Sequence, residues 1–238
     1  MSIAADTVAW LVDPAHWSGV DGVPHRLGEH VAVTGVSVAL ACLIALPIAF
    51  LLGHLGRGGS VVVNLSNASR AVPTFGLLIL LAVTPIGFGN RAAVVALTLF
   101  AIPPLLTNAY IGVRDVDPEV REAARGMGMT GRQLLRRVEV PLALPLVAAG
   151  LRTASVQVVA TATLAAYVGG GGLGRLIADG FGRGDPAMTA AGGVLVAVLA
   201  LIVELALALL QRRLTPGQDA RRKRAKRISS ATVAAPQA

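Results

Sequence analysis

Five apolar stretches, each about long enough to cross a bilayer, constrain this chain more than any other feature. They run over residues 31–54, 61–84, 91–111, 142–165 and 187–210. A helix needs roughly 20 apolar residues to span membrane hydrocarbon, and its backbone N–H and C=O groups have to be satisfied by the protein itself. These requirements predict an all-α polytopic membrane protein with about five transmembrane helices. Composition agrees: 14% of the 238 residues are charged, against roughly 25% in soluble domains. The second and third stretches are the least regular. Asn64, Asn67 and Arg70 make the start of one polar, and Pro103-Pro104 interrupts the other. Pro47, Pro73, Pro103, Pro104 and Pro145 all fall within spans. Each removes a backbone donor and favours a bend.

Positive charge sets the direction of insertion. Arg57, the six arginines of 112–140 and the eight Lys and Arg after Leu210 fall on one side, fifteen of the 21 basic residues. Arg26, Arg91, Arg175 and Arg183 fall on the other, while Arg70 and Arg152 lie within spans. The expected protein is a multi-pass component of the cell (inner) membrane, with its N-terminus outside and its C-terminus in the cytoplasm. Residues 1–30 form an external segment without the basic-then-apolar pattern of a cleavable signal, and Trp10 in it suits the lipid interface. Residues 31–210 form the transmembrane domain. Residues 211–238 form a basic, disordered cytoplasmic tail suited to anionic lipid. Nucleic acid is not an expected partner, because the tail has no aromatic residues on which bases stack.

Between the third and fourth spans lies a charged, helix-prone segment, 115–141. Asp117 is placed as an N-cap and Pro118 at the first helical position. Val120, Ala123, Ala124 and Met127 fall at i, i+3, i+4 and i+7, one small apolar face. Gly128 is placed to end that helix in a left-handed conformation. Thr130 and Gln133 have capping-box spacing for a second short helix, and Pro141 separates this piece from the next span. Helix, glycine turn and helix would present a compact knob to a partner. Ala123 and Ala124 would allow close approach, and Glu122 would accept a charge-assisted bond. An amphipathic helix resting on lipid headgroups has a similar pattern.

The spacing Glu122-Ala123-Ala124, three residues, Gly128, nine residues, Val138, one residue, Val140, Pro141 resembles the EAA loop of ABC-importer permeases. Residues 103–130, 138–154 and 162–180 are similar to the permeases of osmoprotectant importers. The resemblance implies a type I ABC importer permease fold and a transport subunit rather than an enzyme. It implies no cofactor. Its implied partners are ABC ATPase subunits, an external substrate-binding protein, a second permease subunit of the same or a related chain, and membrane lipid. Substrates of that subfamily are quaternary ammonium compounds such as glycine betaine, choline and carnitine. Methionine, phosphonate or sulphonate import, and a self-contained secondary transporter, remain alternatives. The chain has no G-x-x-x-x-G-K-[ST] segment, so ATP would be hydrolysed on another polypeptide.

Other features carry less. Gly169, Gly171 and Gly174 match G-x-G-x-x-G, but the run follows an apolar helix on the external side, where a nucleotide site is not expected. A tight external re-entry, with residues 174–181 as a short helix over the pathway, fits it better as a gate region. Cys42 is the sole cysteine, and the four histidines all lie in the first 54 residues without metal-ligand spacing. Arg152 stands about 16 Å along a helix from Pro141, and Glu204 about 10 Å from Gln211. Both belong to the inner half of their spans and are expected to meet as an intramembrane charge pair.

Overall fold

The computed structural model describes residues 2–214, and all regular structure among them is helical. In chain order the α-helices are α1 (Ile3–Val12), α2 (Val23–Leu55), α3 (Gly59–Ala71), α4 (Thr74–Ala82), α5 (Asn90–Arg114), α6 (Pro118–Gly126), α7 (Gly131–Leu134), α8 (Val140–Thr161), α9 (Gly174–Arg183) and α10 (Pro186–Leu214). Short 3-10 segments cover Pro14–Trp17 and Ala162–Val168, and a π turn over Leu135–Glu139 joins α7 to α8. The basic tail beyond Leu214 lies outside the described residues.

Helix α5 is the axis of the bundle, with α2 and α8 packed along it. Lipid removes the hydrophobic drive between helices, so close van der Waals contact between small side chains has to hold them. The sequence supplies those side chains. Ala92, Ala93, Ala96, Ala101 and Ala109 of α5 are buried, and α2 answers with Ala41, Ala45 and Ala49. On α8, Gly150 admits Asn108 and the Pro104 carbonyl: a Cβ there would lie 2.8 Å from Asn108 Cβ. Large residues such as Leu43, Leu51, Leu201 and Leu205 stay exposed on the outer faces, where a bilayer would cover them. A smaller apolar cluster of Val23, Leu173, Leu176 and Val196 closes one end, with Trp10 packed against it. Trp10 also stacks on His16 with ring centroids 4.0 Å apart and remains partly exposed.

Contacts at the helix ends fix the topology. Arg114 donates to the Gly56 carbonyl at 3.1 Å, and His54 meets Glu139. The C-terminal ends of α2 and α5 therefore share a face with the start of α8. At the other end the Gly171 N–H donates to Asn90 Oδ1 at 2.9 Å, and the Gly172 N–H to Glu29 Oε2 at 2.8 Å. That face holds the N-terminal ends of α2 and α5. The two helices are parallel, so the chain between them has to return across the bundle. Helices α3 and α4 make the return with an 84° bend. Four helical segments are long and apolar enough to cross a membrane, and the bent pair supplies a fifth crossing.

Three boundaries differ from those read in the sequence. Residues 61–84 form two helices, because Pro73 forces Val72 into extended backbone (φ −79°, ψ 120°) and blocks helix there. Pro141 does not separate the second short helix from the next span: Gly131–Val168 is one continuous 38-residue helical segment. The π turn absorbs the proline, with the Val140 N–H bonded to the Leu135 carbonyl, five residues back. Helix α2 begins at Val23, eight residues before the apolar stretch 31–54. Pro47, Pro103, Pro104 and Pro145 lie inside continuous helices.

In a Cys42→Ala background, cysteines at Arg57 and Asp115 should react with an impermeant thiol reagent from one side of the membrane, and a cysteine at Phe88 from the other. Labelling of positions 57 and 88 from the same side would exclude the α3–α4 crossing. Gly150→Val should destabilise the detergent-solubilised protein by about 1–3 kcal/mol through overpacking. Gly182→Val, where nothing lies within 4 Å of the added Cβ, should leave the melting temperature near wild type.

Candidate functional site

Helix α6 forms as its sequence dictates. Asp117 accepts from the Glu119 N–H at 2.9 Å, and Pro118 occupies the first turn. Gly128, with φ +80°, ends it. The Met129 N–H reaches back to the Ala124 carbonyl at 3.2 Å and the Gly128 N–H to the Arg125 carbonyl at 2.9 Å, the paired bonds of a Schellman turn. Thr130 and Gln133 then cap α7 reciprocally.

The apolar positions of α6 do not form one buried face. Only Ala124 is buried; Glu122 and Ala123 are exposed, as are Val120 at 41% and Met127 at 73%. Ala124 therefore packs within the chain, while Glu122, Ala123, Val120 and Met127 remain open to a partner. Val138 is half-buried and Pro141 exposed in the π turn and first turn of α8. The residues of the EAA-like spacing thus lie on one helix–turn–helix unit.

Residue Glu139, between Val138 and Val140, carries a buried polar link from the unit to the bundle. Its side chain has no exposure, and its Oε2 receives a hydrogen bond from His54 Nδ1, in the last turn of α2, at 2.6 Å. Its Oε1 lies 3.1 Å from Arg121 Nε of α6, off the line of that N–H bond, so this contact is an ion pair without a directed hydrogen bond. Arg121 Nη2 also donates to the Val113 carbonyl and to the Arg114 carbonyl at the end of α5. Helices α2 and α6 meet the π turn at one carboxylate, and Arg121 extends the cluster to the end of α5. Removing one partner of such a buried pair costs about 3–5 kcal/mol. Sequence reasoning missed this cluster, because its members stand 85 and 18 positions apart. The available signal was one acidic residue flanked by valines beside a proline.

The other singled-out charges also meet. Arg152 Nε lies 3.2 Å from Glu204 Oε1, joining α8 to α10, with both side chains more than a third exposed. Arg152 also donates to Gln211 Oε1 at 3.3 Å, and Gln211 in turn donates to the Pro145 carbonyl at 3.1 Å. At the opposite end of the bundle, Gly169 takes φ +78° and turns the chain after Ala162–Val168. The Gly171 backbone rests against Glu29 so closely that a Cβ would come within 2.5 Å of the carboxyl group. Gly174 starts α9, where a Cβ would overlap the Thr163 carbonyl. This glycine loop lies against the N-terminal ends of α2 and α5, remote from α6.

A cavity of about 690 Å³ opens between the α3–α4 break, α5 and α8. Ser66, Ser69, Thr107, Asn108, Thr153 and Gln157 give it neutral polar walls, and Phe100, Pro103 and Pro104 an apolar side. The prolines shape it: Pro104 has no N–H, and its own carbonyl is taken by Asn108 Nδ2 at 2.8 Å. Intrahelical bonds lost at proline leave polar backbone where a water-lined space is tolerated.

Residues 41–216 match the family described as binding-protein-dependent transport system inner membrane component. The chain belongs to that family. It is 34% identical over 192 residues to a glycine betaine/carnitine/choline transport system permease protein of Bacillus subtilis, covering 81% of this chain and 88% of the relative. A carnitine transport permease protein of Listeria monocytogenes is 38% identical over 79% of this chain and 86% of its own length. The osmoprotectant import permease protein OsmW of Salmonella typhimurium is 33% identical over 89% and 98% respectively. Among solved structures, an inward-facing MetNI methionine ABC transporter chain superposes with a TM-score of 0.70 at 25% identity, covering 85% of this chain and 99% of that one. The fold is thus that of type I ABC importer permeases, and this is a multi-pass membrane protein.

Replacing Gly128 with valine should strain the left-handed turn by about 1–2 kcal/mol. Hydrogen exchange across residues 118–134 should then rise about tenfold while α5 is unaffected. Unchanged exchange would remove the glycine turn from the account of this unit.

Proposed function

We propose that this chain is the membrane-spanning subunit of an ATP-driven, binding-protein-dependent importer of quaternary ammonium osmoprotectants such as glycine betaine, choline or carnitine. The observation that carries the reading is α6. A helix whose apolar side chains Val120 and Met127 stand exposed beside Glu122, between two spans and with its caps satisfied, is built to be gripped. Two cytoplasmic ATPase subunits closing on nucleotide would draw two such units together, and the face bearing α6 is accordingly cytoplasmic. The N-terminus then lies outside. Residues Glu122, Ala123, Gly128, Val138 and Pro141 shape the surface offered, with Ala124 seating it on the chain. A second permease subunit would complete the pathway beside the cavity, and the glycine loop at Gly169, Gly171 and Gly174 would form its external gate, beneath an external binding protein.

The substrate class rests on the relatives and suits the cavity. A methylated cation donates no hydrogen bond and tolerates an apolar wall, and an aromatic face such as Phe100 attracts it weakly. The named lining residues carry no charge, so tight selection falls to the binding protein. Alternating access follows if the two ATPase states bind α6 differently, since a partner shifts a conformational equilibrium only by its differential affinity.

Reconstituted with its ATPase and binding protein, the chain should take up labelled glycine betaine, choline or carnitine in an ATP-dependent manner. Methionine uptake without any of these would overturn the substrate class, and ion-gradient uptake by this chain alone would overturn the ABC reading. Gly128→Pro and Glu122→Lys should insert normally yet lose at least nine-tenths of uptake, with weakened ATPase co-purification. Undiminished uptake in both would sink the handle.

A further inference from the structure

We propose that Glu139 is the positioning residue through which movement of α6 reaches the bundle, a joint made by one buried carboxylate between Arg121 and His54. The proposal rests on α6 being the ATPase handle. It concerns what lies behind the handle: α6 itself buries one side chain, Ala124, too little apolar surface to drag a bundle of helices. Its polar attachment is more extensive. Arg121 reaches both Glu139 and the last carbonyls of α5, and Glu139 passes the connection to the last turn of α2 through His54.

Two geometric details suit a joint. The Glu139 carboxyl group is wholly enclosed, so separating it from Arg121 would strand a charge away from water, and the pair resists pulling apart. Its contact with Arg121 is an ion pair without a directed hydrogen bond, so the attraction tolerates small changes of angle while the Arg121 bonds to the α5 carbonyls hold α6 in place. The π turn that carries Glu139 is continuous with α8. Glu139 therefore ties the handle to α2 and α8, and Arg121 ties it to the end of α5. His54 is itself enclosed from the side of α7, where a Cβ at Gly131 would lie 3.4 Å from Nε2.

The test uses the full transporter in liposomes, with ATP hydrolysis and substrate uptake measured on the same preparation. Their ratio separates a coupling defect from a folding defect, since misfolded protein lowers both together. Glu139→Gln keeps the shape and removes the charge; uptake per ATP hydrolysed should fall at least tenfold while the complex still assembles. Uptake per ATP within twofold of wild type would overturn the proposal. Should that variant not assemble, Arg121→Lys decides by the same ratio and the same two outcomes, because a lysine keeps the charge and cannot reach Glu139 and the α5 carbonyls at once.

A second readout needs no change at the joint. Spin labels at Arg125 and Arg57, both exposed, should keep one separation through the nucleotide cycle. A separation that changes with nucleotide as much as that between α6 units of the two permease subunits would also overturn it. Failure of the handle reading would show elsewhere, as full uptake and ATPase co-purification in Gly128→Pro and Glu122→Lys.

Discussion

Close packing of alanine and glycine along α5 is the constraint on which the rest of the structure depends. Between lipid-bathed helices there is little to gain from burying leucine, so backbones have to approach until dispersion contacts accumulate. Ala41, Ala45 and Ala49 of α2 meet the alanines of α5 from one side, and Gly150 of α8 meets Asn108 from the other. With α2, α5 and α8 locked this way, their ends are brought together. The site at one face and the glycine loop at the other both follow from that alignment.

Polar chemistry is confined to places where the packing leaves room or supplies a partner. The cavity borders the α3–α4 break and the Pro103-Pro104 step, where helix hydrogen bonding is incomplete. Arg152 and Glu204 lie against each other across α8 and α10, and Glu139 is enclosed between His54 and Arg121. Exposed ion pairs contribute little, whereas the enclosed one fixes which helices have to stay together. A chain with so few charges places several of them at contacts between elements distant in sequence.

Much of this architecture was legible in the sequence because it is local. Apolar length marks four of the crossings, and Asp117, Pro118, Gly128, Thr130 and Gln133 punctuate α6 and α7 as their chemistry requires. The spacing from Glu122 to Pro141 also pointed to the family that residues 41–216 match. What stayed hidden depends on tertiary context. A proline reads as a helix stop, and Pro73 is one, yet Pro141 is tolerated because a π turn precedes it. The inward turn of Ala124 and the convergence of His54, Arg121 and Glu139 depend on how α2 and α6 dock, which no pattern within either helix encodes.

The π turn has a geometric consequence for what α8 displays. One surplus residue in a helix offsets every later side chain by about 100° around the axis. Without that offset, Thr153 and Gln157 would point away from the water-accessible hollow that they now border, and Gly150 would miss Asn108. A single-residue phase error at the start of α8 thus decides which stripe of this 38-residue helical segment borders the cavity and which packs against α5.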